Sequence, residues 1–335
     1  MELIKKIKKI LKIFIYIIFI LVIIIISSEV ILRAIDYKYK PIKIRRLGKK
    51  IEGLGRTDWR PIHEARDDNL VYDPDLIWRP KKDYSIFNSQ GFIGTELSEI
   101  KKKGEYRIFA IGDSNTAGGH PAWPVYLGNL LKRRYPYVTV INAGVWGYSS
   151  FQGLGRFKEI LKYDPDMVII SFGANDAHMV TLSDRCYISG KKNFKVLISR
   201  IKLLQLISSL HDYFLIKFNE SNMLVPRVSQ EEYRENIETI ISIAQKKGIE
   251  IILLTRPFIG EVHNELEWKN VAPKYNDIVL DIAKDKRVMA IDIYSNFKEM
   301  EDYFCDECHF TREGHLVAAR IMYKYVERFF AKKLE

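Results

Sequence analysis

The sequence predicts an α/β fold: a parallel five-stranded sheet covered by helices on both faces, carried behind an N-terminal transmembrane helix. Three observations predict it. From Tyr106 onward, short β-branched and aromatic runs alternate with longer segments of helical period, the rhythm of a parallel sheet built from strand–helix units. Small and polar residues follow the strands, at the edge where open α/β sheets bind ligands. Near the N-terminus, Ile13 to Ile26 is one uninterrupted apolar stretch.

The chain has 335 residues, enough for one large domain or two small ones, and its 47% apolar content can fill a sizeable core. The net charge of +11 invites a nucleic-acid reading. Much of that excess lies in the first sixty residues beside the apolar stretch, and no nucleic-acid motif accompanies it, so that reading is rejected. Cys186, Cys305 and Cys308 are too few for a disulfide scaffold.

Residues 1–9 form a short basic tail, and 10–28 a transmembrane anchor in which Lys12 snorkels. A cleaved signal peptide is the competing assignment, but no Ala-x-Ala site follows and the helical pattern continues through Glu29–Ile35. Lys5, Lys6, Lys8, Lys9 and Lys12 abut the span and place the amino terminus inside and the bulk of the chain outside, although Arg33 and the basic run after it oppose that bias. Residues 29–105 read as a stalk and lead-in, rich in charge, Pro and Gly. Trp59, Tyr72, Trp78 and Phe87 suggest that its later part packs on the main domain. That domain is 106–335, with strands expected at 106–112, 138–144, 167–172, 249–255 and 288–293. Helices are expected at 124–135, 150–162, 231–247, 274–285 and 311–332, with Asp164-Pro165, Lys247-Gly248 and Thr311 as punctuation. An insertion at 179–229 interrupts the rhythm and carries its own apolar helix near 194–217. It reads either as a lid over the ligand edge or as extra core packing.

Four loops should meet at one edge. They are Gly112-Asp-Ser-Asn-Thr116, Asn142-Ala-Gly-Val-Trp-Gly147, Gly173-Ala-Asn-Asp176 and Asp306-Glu-Cys-His309. Each alone reads as a helix cap or a tight turn. Together they supply a hydroxyl, glycine amides, a carboxamide, and an imidazole beside a carboxylate, the parts that acyl transfer from an ester requires. His309 can take the proton of Ser114, and Asp306 can hold the other imidazole N–H and stabilise imidazolium. The Ser114 and Gly147 amides and the Asn175 side chain can bind an oxyanion. Arg256, placed best at the active edge, Arg227 and His120 are candidates for substrate contact, although a structural ion pair is the favoured explanation for each of the three.

Those four blocks resemble the signature blocks of the SGNH (GDSL-type) hydrolases, over roughly residues 106–335. The resemblance implies a flavodoxin-like three-layer α/β/α sandwich, Ser114 as nucleophile, Gly147 and Asn175 in the oxyanion hole, and Asp306 and His309 completing a triad. It favours Gly147 over Gly144, and it implies no metal or organic cofactor. The first block departs from the nominal motif, with Asn115-Thr116 after the serine where the family has Leu. The lead-in, with Tyr72-Asp-Pro-Asp75 and Asn88-Ser-Gln-Gly-Phe92, is similar to that of membrane-anchored members associated with surface polysaccharides. The substrate so implied is a small acyl ester or an acylated, in particular O-acetylated, glycan.

Other classes fit less of the chain. Cys305-Asp-Glu-Cys308-His309 matches a c-type haem attachment pattern, but haem would consume the triad base and leave three loops unexplained. A Cys305–Cys308 disulfide and a zinc site are both conceivable, though no second ligand pair is evident for zinc. Neither Gly-x-Gly-x-x-Gly nor a Walker lysine occurs at 112–119. An O-acyltransferase acting on surface glycans, or a catalytically inactive membrane-tethered glycan-binding module, remain the alternatives to an esterase.

Overall fold

The computed structural model describes residues 2–37, 69–118, 121–180, 183–191, 200–218, 225–259, 268–297 and 300–334. Helix α1 (Glu2–Ala34) comes first, longer at both ends than the expected 10–28 span. Its segment Lys6–Ala34 is long and apolar enough to cross a membrane, and that stretch is almost wholly uncovered by protein. Strands β1 (Leu70–Asp73) and β2 (Ile77–Pro80) then form an antiparallel hairpin.

The main body comprises, in order, β3 (Tyr106–Gly112), α2 (Ser114–Ala117), α3 (Trp123–Lys132), β4 (Val138–Asn142), α4 (Ser150–Ile160) and β5 (Met167–Ser171). The next stretch carries β6 (Met179–Val180), α5 (Asp184–Lys191), α6 (Lys202–Phe218) and β7 (Val225–Pro226). After it come α7 (Gln230–Lys246), β8 (Glu250–Leu254), α8 (Trp268–Lys286), β9 (Met289–Ile291), α9 (Ile293–Asn296) and α10 (Arg312–Leu334).

The sheet runs β4-β3-β5-β8-β9, parallel throughout, which is the predicted five-stranded α/β architecture. Its central strands are buried on both faces, so they read as continuous apolar runs rather than alternating ones. Successive side chains still take opposite sides. Phe109 and Ile111 of β3 join Phe157 of α4, Ile237 and Ile241 of α7 and Val279 of α8 on one face. Ile108 and Ala110 join Leu127 of α3 and Met322 and Val326 of α10 on the other. Each such apolar side chain contributes about 1.5–3 kcal/mol when fully buried. Helix starts follow local chemistry: Ser149 and Ser229 close capping boxes with Gln152 and Glu232, which satisfies the N-cap and N3 amides of α4 and α7.

Part of the lead-in is woven into this body. Trp78 is fully buried, its indole N–H donating to the Trp146 carbonyl, while the Tyr148 hydroxyl donates to the Trp78 carbonyl. The Asn88–Phe92 block is a tight loop in which the Asn88 carboxamide accepts from the Gln90 and Phe92 amides. Ile93 then donates to the Asn142 carbonyl, and the Phe87 ring meets Trp146 edge-on. The lead-in thus braces the loop after β4 from outside. Trp59 lies outside the described residues.

Candidate active site

Ser114 follows the central strand β3. Gly112 has no room for a side chain, since a Cβ there would meet Thr116 Oγ1 at 2.1 Å and the Ser171 carbonyl at 2.7 Å. The glycine permits close approach, and its φ is not among the positive ones. Asp113 caps α2 by accepting the Asn115 amide, which lifts Ser114 onto the first turn with its side chain at the carboxyl edge.

The loop 142–147 lies alongside. The Ala143 and Val145 amides donate to the carbonyls of Ala110 and Gly112, so the loop tracks the end of β3 and passes the serine turn. A side chain at Gly144 would strike the Ala117 amide. Gly147 has φ +72, the left-handed region that favours glycine, and its carbonyl accepts from Arg227 Nη1 at 2.8 Å. Asn175, in the loop after β5, donates one carboxamide N–H to the Tyr148 carbonyl at 3.1 Å; the second N–H of that amide remains for another acceptor. The Ser114 and Gly147 amides donate to no acceptor among the described residues.

His309 arrives on a short loop closed by a bridge between Phe304 and Phe310. Sequence spacing suggests that Asp306 and His309 share a helical turn, but the structure has an Asx-type turn instead. Asp306 Oδ1 accepts the backbone amides of Cys308 at 3.0 Å and His309 at 2.8 Å. The imidazole is held from both ends: Nε2 lies 2.7 Å from Ser114 Oγ, and Nδ1 lies 2.6 Å from Asp306 Oδ2. Burial pushes the Asp306 carboxyl up. The charge of His309 and the hydrogen bonds from His309 and the Cys308 and His309 amides outweigh it and hold the carboxyl well below its usual range.

Two residues that sequence places near substrate are spent on the protein. Arg256 is buried behind Ser114, with Nε 2.8 Å from Asp113 Oδ2 and Nη1 donating to the carbonyls of Pro257 and Cys308. Arg227 is buried against Asp184 at 2.8 Å and holds Gly147 through its carbonyl. Both are ion-paired, as a buried guanidinium must be. His120 lies outside the described residues.

In sequence, Asn115 is only a departure from the motif, yet its carboxamide donates to the Cys308 carbonyl at 2.9 Å and accepts the Phe310 amide at 3.0 Å. The signal available in sequence is a carboxamide beside the serine where the family has an apolar residue.

No disulfide joins Cys186, Cys305 or Cys308 to one another. Cys308 Sγ lies 3.6 Å from His309 Nδ1, and Asp306, Cys308 and His309 together offer three candidate metal-ligand atoms within 4.8 Å of one another. Burial, with Asp306 nearby, pushes the Cys308 thiol well above its ordinary range, so it is a neutral thiol and not the thiolate that binds metals best. Asp306 and His309 already bond each other.

A parallel sheet with a hydroxyl, an imidazole and a carboxylate in line at its carboxyl edge defines a hydrolase-like α/β protein. The family model described as the GDSL-like Lipase/Acylhydrolase family matches residues 110–317, and the chain belongs to that family of ester-hydrolysing enzymes. An uncharacterized lipoprotein, YqeF, of Bacillus subtilis is 25% identical over 226 residues, covering 59% of this chain and 75% of that protein. An arylesterase of Vibrio mimicus is 36% identical over 75 residues, covering 21% of this chain and 38% of its own length. Among solved structures, a lipase/acylhydrolase from Enterococcus faecalis aligns with TM-score 0.45 and 21% identity over 66% of this chain and 95% of that one. An acetylxylan esterase from Geobacillus stearothermophilus aligns with TM-score 0.45 and 20% identity over 65% and 93%.

Proposed function

We propose that the protein is a membrane-anchored serine esterase that removes small O-acyl groups, O-acetyl foremost, from carbohydrate outside the membrane. The observation that carries this reading is the line Ser114 Oγ–His309 Nε2 and His309 Nδ1–Asp306, with 2.7 Å and 2.6 Å separations. Ser114 Oγ attacks the acyl carbon as its proton passes to His309 Nε2. The Ser114 and Gly147 amides and the free N–H of Asn175 receive the oxyanion. Collapse expels the alcohol, which takes the proton from His309, and leaves Ser114 acylated. Water then repeats the sequence and releases the acid. Asp306 keeps His309 in the tautomer with its proton on Nδ1 and remains a carboxylate throughout.

A short acyl group suits Ser114 and Asn175, which are only 6% and 9% exposed. A carbohydrate alcohol is supported by the lead-in's resemblance to that of anchored family members. The length and apolar exposed surface of α1 support an anchor. The lysines before its apolar run support an extracytoplasmic catalytic domain.

The test is hydrolysis of p-nitrophenyl acetate, butyrate and octanoate by the full chain in detergent, beside Ser114→Ala. Turnover of acetate that disappears in a variant with an unchanged melting temperature supports the reading. Equal turnover by the variant overturns it. Release of acetate from O-acetylated oligosaccharide then tests the acceptor.

A further inference from the structure

Among the side chains described on helix α6 (Lys202–Phe218), the usual polarity is reversed. Gln205, Ser208 and Ser209 are 7%, 8% and 8% exposed, whereas Ile207, Leu210 and Phe214 are 51%, 50% and 49% exposed. At 100° per residue the first three share one face of the helix and the last three the opposite face. A surface helix of a water-soluble domain turns its apolar stripe to the core. This one turns its small polar side chains to the protein and presents three large apolar ones outward, the mark of an interaction face.

Where α6 starts says what covers that face. Glu29 of α1 accepts the backbone amides of Lys202 and Leu203 at 3.1 and 2.8 Å, and so caps α6. Arg33 donates to the Arg200 carbonyl at 2.9 Å, and Lys202 Nζ to the Tyr37 carbonyl at 2.6 Å. Among the described residues of α1, only Ser28, Glu29 and Leu32 are covered by protein; the apolar run from Ile13 through Ile26 is exposed. The first turn of α6 is therefore fixed just past the end of that run, at the level where a membrane-crossing α1 leaves the hydrocarbon. From there α6 extends about 25 Å. Its two basic neighbours at that level, Arg33 and Lys202, suit an interface with lipid headgroups.

We propose that α6 lies on the bilayer that α1 crosses, with Ile207, Leu210 and Phe214 seated between the headgroups. This rests on reading α1 as a membrane anchor. Lipid is the occupant because the apolar face of α6 begins where the lipid-crossing surface of α1 ends. The contact has a consequence for the site. The two ends of this insertion pair as β6 and β7, and the Arg227 and Val228 amides donate to the carbonyls of His178 and Asp176, directly beside Asn175. Seating α6 on the membrane would therefore bring the ester-cleaving edge close to the bilayer and favour esters held at the membrane surface.

The experiment uses the full chain in phosphatidylcholine–phosphatidylglycerol nanodiscs containing doxyl-labelled lipid. An environment-sensitive fluorescent amino acid replaces Ile207, Leu210, Ile18 of the anchor, or Ile100, which is 83% exposed on the lead-in. The expected result is a blue shift and at least about threefold stronger quenching at 207 and 210 than at 100, approaching that at 18. Quenching at 18 but not at 207 and 210 overturns the proposal while leaving the anchor intact. No quenching at 18 overturns the anchor reading and the proposal with it. A blue shift at 207 without lipid quenching assigns the face to protein, such as a second copy, and also overturns it.

Discussion

The side chain of Asn115 grips the chain on both sides of His309. It donates to the Cys308 carbonyl and accepts the Phe310 amide, while Ser114, its neighbour, meets the His309 ring. One dipeptide on β3's exit turn thus presents the hydroxyl and fixes the loop that carries its partner. Asn115→Ala leaves the buried Phe310 N–H unpaired, a cost of about 1–3 kcal/mol. It also frees the loop to drift, and displacements near 1 Å in such sites cost up to about 100-fold in rate. We expect kcat on p-nitrophenyl acetate to fall about 10- to 100-fold with KM little changed, and the melting temperature to drop. An Asn115→Ala protein with full kcat would show that the grip does not position His309.

Arg256 supports the same loop from beneath. It ties Asp113, the cap of the serine turn, to the Cys308 carbonyl, and both Arg256 and Asp113 are buried. Burial works against the guanidinium charge, but the Asp113 charge and hydrogen bond raise its pKa. Arg256→Met strands the Asp113 carboxylate, and removing one partner of a buried pair costs about 3–5 kcal/mol. Urea unfolding should show that loss. A residue that merely touched substrate would instead give a variant of normal stability and raised KM.

The sheet and the four loops are legible in sequence because each rests on local chemistry: buried apolar runs for strands, small and polar residues where strands end, and a parallel order that brings those ends together. Less local features are not. The partners of Arg227 and Arg256 lie 43 and 143 residues away in sequence, and a lone arginine near an active edge looks the same whether it binds a ligand or a buried carboxylate. Pro273 suggests that α8 begins at 274, yet the helix starts at Trp268 and absorbs the missing N–H. The β1–β2 hairpin reads as stalk because its turn carries no glycine; Asp73 closes it by accepting the Asp75 and Leu76 amides, and Ile77 takes a left-handed φ of +68. The inverted α6 carries no usable signal until its neighbours are known, since an apolar stripe in sequence has no inside or outside.

Asp306 makes two separable contributions. Its carboxylate orients His309, so Asp306→Asn should lower kcat by about 100- to 10,000-fold, as a mis-set tautomer does. The second is pH-dependent. A carboxyl whose folded pKa is depressed adds stability that is present above its unfolded value, near 3.8, and is lost as pH falls toward the folded value. The destabilisation of Asp306→Asn relative to the parent should therefore be full at pH 7 and shrink below about pH 4. Urea unfolding at pH 7 and pH 3.5 measures it. A pH-independent difference would mean that the carboxylate is not held by His309 and the loop amides.

Asp176, next to Asn175, runs the other way. Burial raises its carboxyl to about 6, against hydrogen bonds from Ser150 and the charge of Arg227. Its two oxygens accept the Ser150 and Gly173 amides, which closes the turn that presents Asn175. The folded protein therefore binds more protons than the unfolded chain between about pH 4 and 6. Stability from this group is greatest below that window and declines as pH rises through it, by about 3 kcal/mol at 1.36 kcal/mol per unit. Asp176→Asn cannot ionise, but it turns an NH2 toward one of the two amides, so it is destabilised at every pH. The gap between variant and parent should be widest near pH 4 and narrow by about 3 kcal/mol at pH 7.5. Denaturant midpoints at the two pH values decide it: a gap that stays constant or widens would mean that Asp176 is ionised in the folded protein across the whole range.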